Sequence, residues 1–168
     1  MRYFIIILFC LFSTLVQSQE VLNPAFQKNL QSLLDESVPS ISVKKLCQDS
    51  PEIYTLLDAR EYEEYNISHI PNALYVGYDD FDIDRIKTVS YDEPIVVYCS
   101  VGYRSEKITN RLRKSGYKHV YNLVGSIFEW VNQGHPIEDQ HDNPTKTLHT
   151  YNKEWSKWVD APAIKKVW

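Results

Sequence analysis

Cysteine and glycine are scarce in this chain, and it has no excess of positive charge. Three cysteines in 168 residues are too few for a disulfide framework. Five glycines and eight prolines exclude a collagen-like or low-complexity chain. The net charge is −4, and −5 once residues 1–18, which carry Arg2 and no acid, are set aside. A mildly acidic domain argues against a nucleic-acid partner, which would need a basic face. His119, His135, His141 and His149 are scattered and show no metal-ligand spacing. No internal repeat is visible. What remains is 43% hydrophobic and 24% charged, the makeup of one ordinary globular domain. About 150 residues are enough to bury a sizeable core.

The apolar run over residues 3–16 is too short to span a bilayer comfortably. With Arg2 before it and Val16-Gln17-Ser18 at its end, it reads as an export signal cleaved after Ser18. An uncleaved N-terminal anchor is the alternative. Cys10 lies inside the run rather than at its end, so lipidation is not expected. The expected location is periplasmic or secreted, without membrane contact after cleavage. In an oxidising compartment Cys47 and Cys99 could pair. Val43, Leu46 and Cys47 fall on one helical face, so Cys47 also reads as a small buried hydrophobe.

Hydrophobic spacing predicts a helix over 24–36 and a short one over 42–48. Strands are expected at 53–57, 73–76, 94–98 and 119–123, and a polar helical turn at 61–65. Residues 79–92 read as a helix or an irregular crossover. A helix is expected at 105–115, with Glu106 near its start and Arg111, Arg113 and Lys114 near its end, as the helix dipole favours. Another is expected at 125–132. Strands alternating with helices imply an α/β fold with a mainly parallel central sheet flanked by helices on both faces. Residues 138–168 carry Trp155, Trp158 and Trp168. They read as a clasp packed on the domain, or as a partner-binding surface.

The chemistry concentrates in Val97-Tyr98-Cys99-Ser100-Val101-Gly102-Tyr103-Arg104-Ser105. The run PIVVY over 94–98 is continuous and β-branched, as in a parallel strand buried on both faces. It stops at Cys99, and a helix follows. Sites in parallel sheets form at the carboxyl ends of strands. A loop entering a helix N-terminus can turn several N–H groups inward and make an anion cradle. A cysteine there gains thiolate character. Gly102 permits a positive φ. Arg104 can brace the loop or bind an anionic substrate.

Residues 41–137 resemble the rhodanese family of sulfurtransferases. The resemblance rests on Leu57-Asp58-Ala59-Arg60 followed by Glu61-Tyr62-Glu63-Glu64-Tyr65, and on Ser68-His69-Ile70-Pro71-Asn72-Ala73, similar to the HIPGA element. It rests further on Cys99 to Ser105, similar to the CxxGxRS active loop, and on residues 116–123 with Gly125 and Trp130. Asn72 and Ser126 depart from the pattern, standing where glycine is usual. The implied organisation is a signal peptide at 1–18, an N-terminal helix in 19–40, a rhodanese-like domain at 41–137 and a C-terminal extension at 138–168.

The resemblance implies a persulfide mechanism without a metal or organic cofactor. Cys99 is the nucleophile, and Arg104 is placed with it. Ser100, Val101, Gly102, Tyr103 and Ser105 form the persulfide-binding loop. Asp58, Arg60 and His69 support it, His69 by bonding backbone before Pro71. The partners implied are a small-molecule sulfur donor such as thiosulfate and a thiophilic acceptor, which could be a protein. Alternatives are a sulfur-carrier or partner-binding module in the periplasm, redox work by Cys99 with Cys47, or a Cys-dependent phosphatase or arsenate reductase. Those last enzymes have Cys-x5-Arg, whereas Cys99 to Arg104 is Cys-x4-Arg, a narrower loop that suits sulfur.

Overall fold

A computed structural model describes residues 20–168; the expected export signal and Cys10 lie outside the described residues. Five parallel strands form the sheet: β1 (Ser40–Ser42), β2 (Thr55–Asp58), β3 (Leu74–Tyr75), β4 (Ile95–Tyr98) and β5 (Val120–Val124). Their order is β1-β5-β4-β2-β3, which puts β4 at the centre. It pairs with β2, Asp58 opposite Tyr98, and with β5, Val97 opposite Asn122. Consecutive side chains of a strand point to opposite faces. Val96 and Tyr98 therefore enter one core, and Ile95 and Val97 the other. Two buried faces explain why this strand is apolar at every position.

The first core is closed by α1 (Pro24–Leu33), α2 (Val43–Gln48) and α5 (Ser126–Asn132). The second is closed by α4 (Tyr103–Lys114) and a 3-10 turn at Ile83–Ile86. A fifth helix, α3 (Tyr62–Ile67), follows β2 at the carboxyl end of the sheet. Helices therefore flank both faces of the sheet, as expected. No helix among the described residues is long and apolar enough to cross a membrane.

Several boundaries differ from expectation. The first helix stops at Leu33, because Leu34 is extended at φ −101° and ψ 151°. Its start is fixed by the Asn23 side chain, which accepts from the Ala25 and Phe26 amides. Residues 51–53 form a 3-10 turn with Ile53 half exposed, so β2 begins at Thr55. Strand β1 was not anticipated. Ser-Ile-Ser has one apolar residue and gains its partners only from β5. The segment 79–92 is an irregular crossover around the single 3-10 turn.

The C-terminal extension packs on the domain. It forms an antiparallel pair, β6 (Ile137–Glu138) with β7 (Pro144–Thr145), and a parallel pair, β8 (Thr147–His149) with β9 (Lys165–Val167). Leu148 and Val159 are buried, and the Trp158 ring stacks on Phe26 of α1 at 5.3 Å. The expected helical face of Trp155, Trp158 and Val159 is instead a 3-10 turn, Trp155–Trp158, with Val159 extended after it. Trp168 remains largely exposed.

Candidate active site

Cys99 follows β4 directly, and α4 begins four residues later. The loop is shorter than expected, because α4 starts at Tyr103 rather than Ser105. Gly102 turns the chain into the helix at φ 125°, a conformation that disfavours a side chain. A Cβ there would also lie 3.2 Å from Leu34 Cδ1. Tyr103, Arg104 and Ser105 thus supply the first helical amides, which have no intrahelical acceptor.

The Cys99 side chain is 1% exposed, yet it lines a cavity of about 530 Å³. Its sulfur accepts the Gly102 N–H at 3.2 Å. Burial pushes the thiol pKa up, but Arg104's charge, the hydroxyl and N–H of Ser105 and the N–H of Gly102 together outweigh it, and the pKa is lowered. The loop backbone is held from beneath. The Ser126 hydroxyl accepts the Cys99 N–H at 3.1 Å and donates to the Leu123 carbonyl at 3.0 Å. The first amides of α5 reach the loop carbonyls, Ile127 to Cys99 and Phe128 to Ser100, both at 3.2 Å. Asn122 on β5 donates to the Gly102 carbonyl at 3.1 Å and accepts the Ser105 hydroxyl at 2.7 Å.

Arg104 is a brace. Its guanidinium forks onto Glu64 of α3, at 2.5 and 2.9 Å, and donates to Ser100 Oγ at 3.0 Å. Ser100 Oγ in turn donates to Glu64 Oε1 at 3.1 Å. The other Glu64 oxygen also takes the Glu61 N–H at 3.1 Å. His149 Nδ1 lies 3.7 Å from Glu64, and the Tyr151 ring covers Arg104 at 5.3 Å. With its fork committed, Arg104 has little left to clamp an anion.

Asp58 and Arg60 are both fully buried. Arg60 makes a forked pair with Asp58 and donates to the Ser68 carbonyl at 2.5 Å. This is an internal pair tying β2 to the turn after α3, not a surface one. His69 Nδ1 bonds the Tyr65 carbonyl at 3.2 Å, and the ring stacks on Tyr65. It holds the turn and does not reach Cys99's cavity. Val101 and the half-exposed Tyr103 both line that cavity.

Cys47 lines a different cavity of about 590 Å³ that shares no lining residue with the first. Its sulfur lies 3.4 Å from His135 Nε2, and burial raises the thiol pKa and lowers that of the imidazole. The fold therefore does not present Cys47 as a partner for Cys99. Cys47, expected from its helical face to be a small buried hydrophobe, is partly buried and packs against the first core.

The model of the rhodanese-like domain matches residues 42–133, just over half of the chain. The chain belongs to the rhodanese-like family. It is 33% identical over 97 residues to YrkF of Bacillus subtilis, whose name proposes a sulfur carrier; the match covers 56% of this chain and 52% of that one. The chain thus spans about half the length of that relative. It is 30% identical over 88 residues to thiosulfate sulfurtransferase GlpE of Coxiella burnetii, covering 52% of this chain and 80% of the relative. A rhodanese-related protein from Thermoplasma volcanium superposes with a TM-score of 0.53 at 26% identity, over 59% of this chain and 96% of its own.

Four contributors to this rhodanese-like site were given no role in it from sequence: Glu64, Asn122, Ser126 and Tyr151. Glu64 had a signal, since an arginine held beside a buried cysteine calls for a carboxylate. Ser126 had one too, as a departure from glycine. It stands at φ 50°, and Asn72, the other departure, at φ 62°. Both keep the left-handed backbone that glycine would adopt freely. At Ser126 the hydroxyl's two hydrogen bonds offset part of that strain. Asn122 and Tyr151 had no such signal, because their roles depend on pairing distant in sequence.

Proposed function

We propose that this protein is a sulfurtransferase that moves a sulfane sulfur from a donor such as thiosulfate to a thiophilic acceptor through a Cys99 persulfide. The observation that carries this reading is the Cys99 sulfur itself, lowered in pKa and receiving the Gly102 N–H at the floor of an open cavity. In the first half-reaction the thiolate attacks the outer sulfur of thiosulfate. A Cys99–sulfur bond forms, the sulfur–sulfur bond of the donor breaks, and its electron pair leaves on sulfite. In the second, an acceptor takes the outer sulfur and the electron pair of that bond returns to Cys99. Two half-reactions through one covalent intermediate give ping-pong kinetics. Amides fixed before reaction stabilise the sulfur anion without reorganising.

Intact mass after incubation with thiosulfate tests the reading. The wild type should gain one sulfur atom and Cys99→Ser none; an unloaded wild type sinks it. The likeness to YrkF supports a second reading, a sulfur carrier that delivers its persulfide to a protein. A carrier would load once and turn over slowly with excess small acceptor. We also propose export to the periplasm or the medium. The support is Arg2, the apolar run at 3–16 and the small residues before Gln19. N-terminal sequencing of protein from the native source should begin at Gln19.

A further inference from the structure

The cavity over Cys99 is completed by parts of the chain outside the family match. Leu33 of α1 and Tyr151 and Trp155 of the C-terminal extension line it, opposite Tyr78, Val101 and Tyr103. These six side chains present aliphatic groups and aromatic rings. The charged groups run the other way. Glu61 and Asp79 reach the lining, and among the described residues the one cation there is Arg104. That cation is already paired with Glu64, lies 3.6 Å from Glu61 and is covered by the Tyr151 ring. Lys107, beside the Tyr103 ring, is bound to Glu106. Thiosulfate is small enough to bring its charge to the Gly102 and Ser105 donors at the sulfur. The charged body of a larger acceptor, standing off from them, would lose water against aromatic rings beside two carboxylates, with Arg104 already paired. An uncharged apolar body would bury its surface on those same rings.

We propose that the sulfur acceptor is a low-molecular-weight organic thiol with an uncharged, aromatic or aliphatic body, and that Tyr151 and Trp155 select it. This rests on the persulfide reading above. At about 530 Å³ the cavity is in the range that encloses small organic ligands. The transfer step is balanced without any further reagent. The persulfide takes up a proton and the acceptor thiol loses one. The acceptor thiolate then attacks the outer sulfur, forming R–S–S–H. The bond between that sulfur and Cys99 breaks, and its electron pair stays on Cys99, where Gly102 and Ser105 stabilise it.

The test loads purified protein with thiosulfate, or with inorganic polysulfide if thiosulfate fails. It then follows discharge by intact mass with benzyl mercaptan or 2-mercaptoethanesulfonate, thiols of similar acidity but opposite body. Benzyl mercaptan should discharge the persulfide about tenfold faster, the scale of discrimination by an apolar pocket. Tyr151→Ala should bring that ratio close to one, mainly by raising KM for the aromatic thiol. Trp155→Leu, which keeps an apolar side chain in the packed turn, should lower it by a smaller factor. Asp79→Lys should speed the sulfonate relative to benzyl mercaptan. Equal discharge of the two thiols by wild type, or a ratio that Tyr151→Ala and Trp155→Leu both leave unchanged, overturns the acceptor assignment alone. Failure of every donor to load Cys99 overturns the persulfide reading as well.

Discussion

Burial alone would keep the Cys99 thiol protonated, because a desolvated anion is unfavourable. The opposing effects are local: the Arg104 charge and the Ser105 and Gly102 donors. Weakening Arg104 should therefore raise the thiol pKa. With Arg104→Gln, the midpoint of Cys99 alkylation by iodoacetamide should move to higher pH, and the wild-type midpoint should lie below that of a free thiol. An unchanged midpoint would mean that the amides alone set the pKa. Ser126 makes a second residue-scale case. Ser126→Ala removes the acceptor of a buried Cys99 N–H and keeps the left-handed backbone. It should cost about 1–3 kcal/mol in urea unfolding, the scale of an unmet buried donor. Ser126→Gly loses the same bond but relieves the strain, so its cost should be lower by about 1 kcal/mol. The grouping of Cys99, Gly102 and Arg104 was legible in the sequence because they are neighbours in one short loop. Ser126 was legible only as a departure, since its bond to Cys99 spans 27 residues of chain.

Helix α3 and the start of α4 are joined by the Glu64–Arg104 pair, and β2 is joined to the turn after α3 by Arg60, which pairs with Asp58 and donates to the Ser68 carbonyl. Removing one partner of a buried pair leaves an uncompensated charge and costs about 3–5 kcal/mol. The two pairs should differ within that range. Arg104 is 12% exposed and retains Glu61 at 3.6 Å when Glu64 is neutralised. Arg60 is fully buried, and its carboxylate partner is Asp58. Asp58→Asn should therefore destabilise more than Glu64→Gln in urea melts, by about 1 kcal/mol or more; the reverse order would make Glu64 the principal tie. Element boundaries follow the same logic of context. The central strand β4 was legible because two buried faces demand an apolar residue at every position. Strand β1 was not, since a three-residue edge strand with serine at both ends carries no pattern of its own. The start of α4 was misjudged by two residues because the turn is made by Gly102's backbone rather than by a capping side chain.

At the scale of the whole molecule, Glu64 is where the family fold and its extension meet. It takes Ser100 and Arg104 from the loop and α4, and His149 from β8 in the extension. The extension's clasp was legible from its tryptophans, but its place over Cys99 was not, because nothing local records which rim of the sheet a returning chain will cross. Burial would raise the Glu64 pKa, but His149, Arg104 and Arg60 more than reverse this and hold it far below its ordinary value near 4.5. A carboxyl depressed in the folded state contributes stability that is full above its unfolded value. That stability is lost as pH falls through the folded one. Glu20, Glu61 and Glu129 are raised by burial and act with the opposite sign, but their shifts are smaller. The lowered carboxyls of Asp49, Asp80 and Asp92 lie in surface ion pairs, and those of Asp35 and Asp139 accept exposed local hydrogen bonds, all of which are worth little. Glu64 should therefore dominate. The urea midpoint should fall steadily from about pH 5 to about pH 3. Glu64→Gln should start less stable at neutral pH and lose much of that acid slope. A variant with the full wild-type slope would assign the acid sensitivity to the surface carboxylates instead.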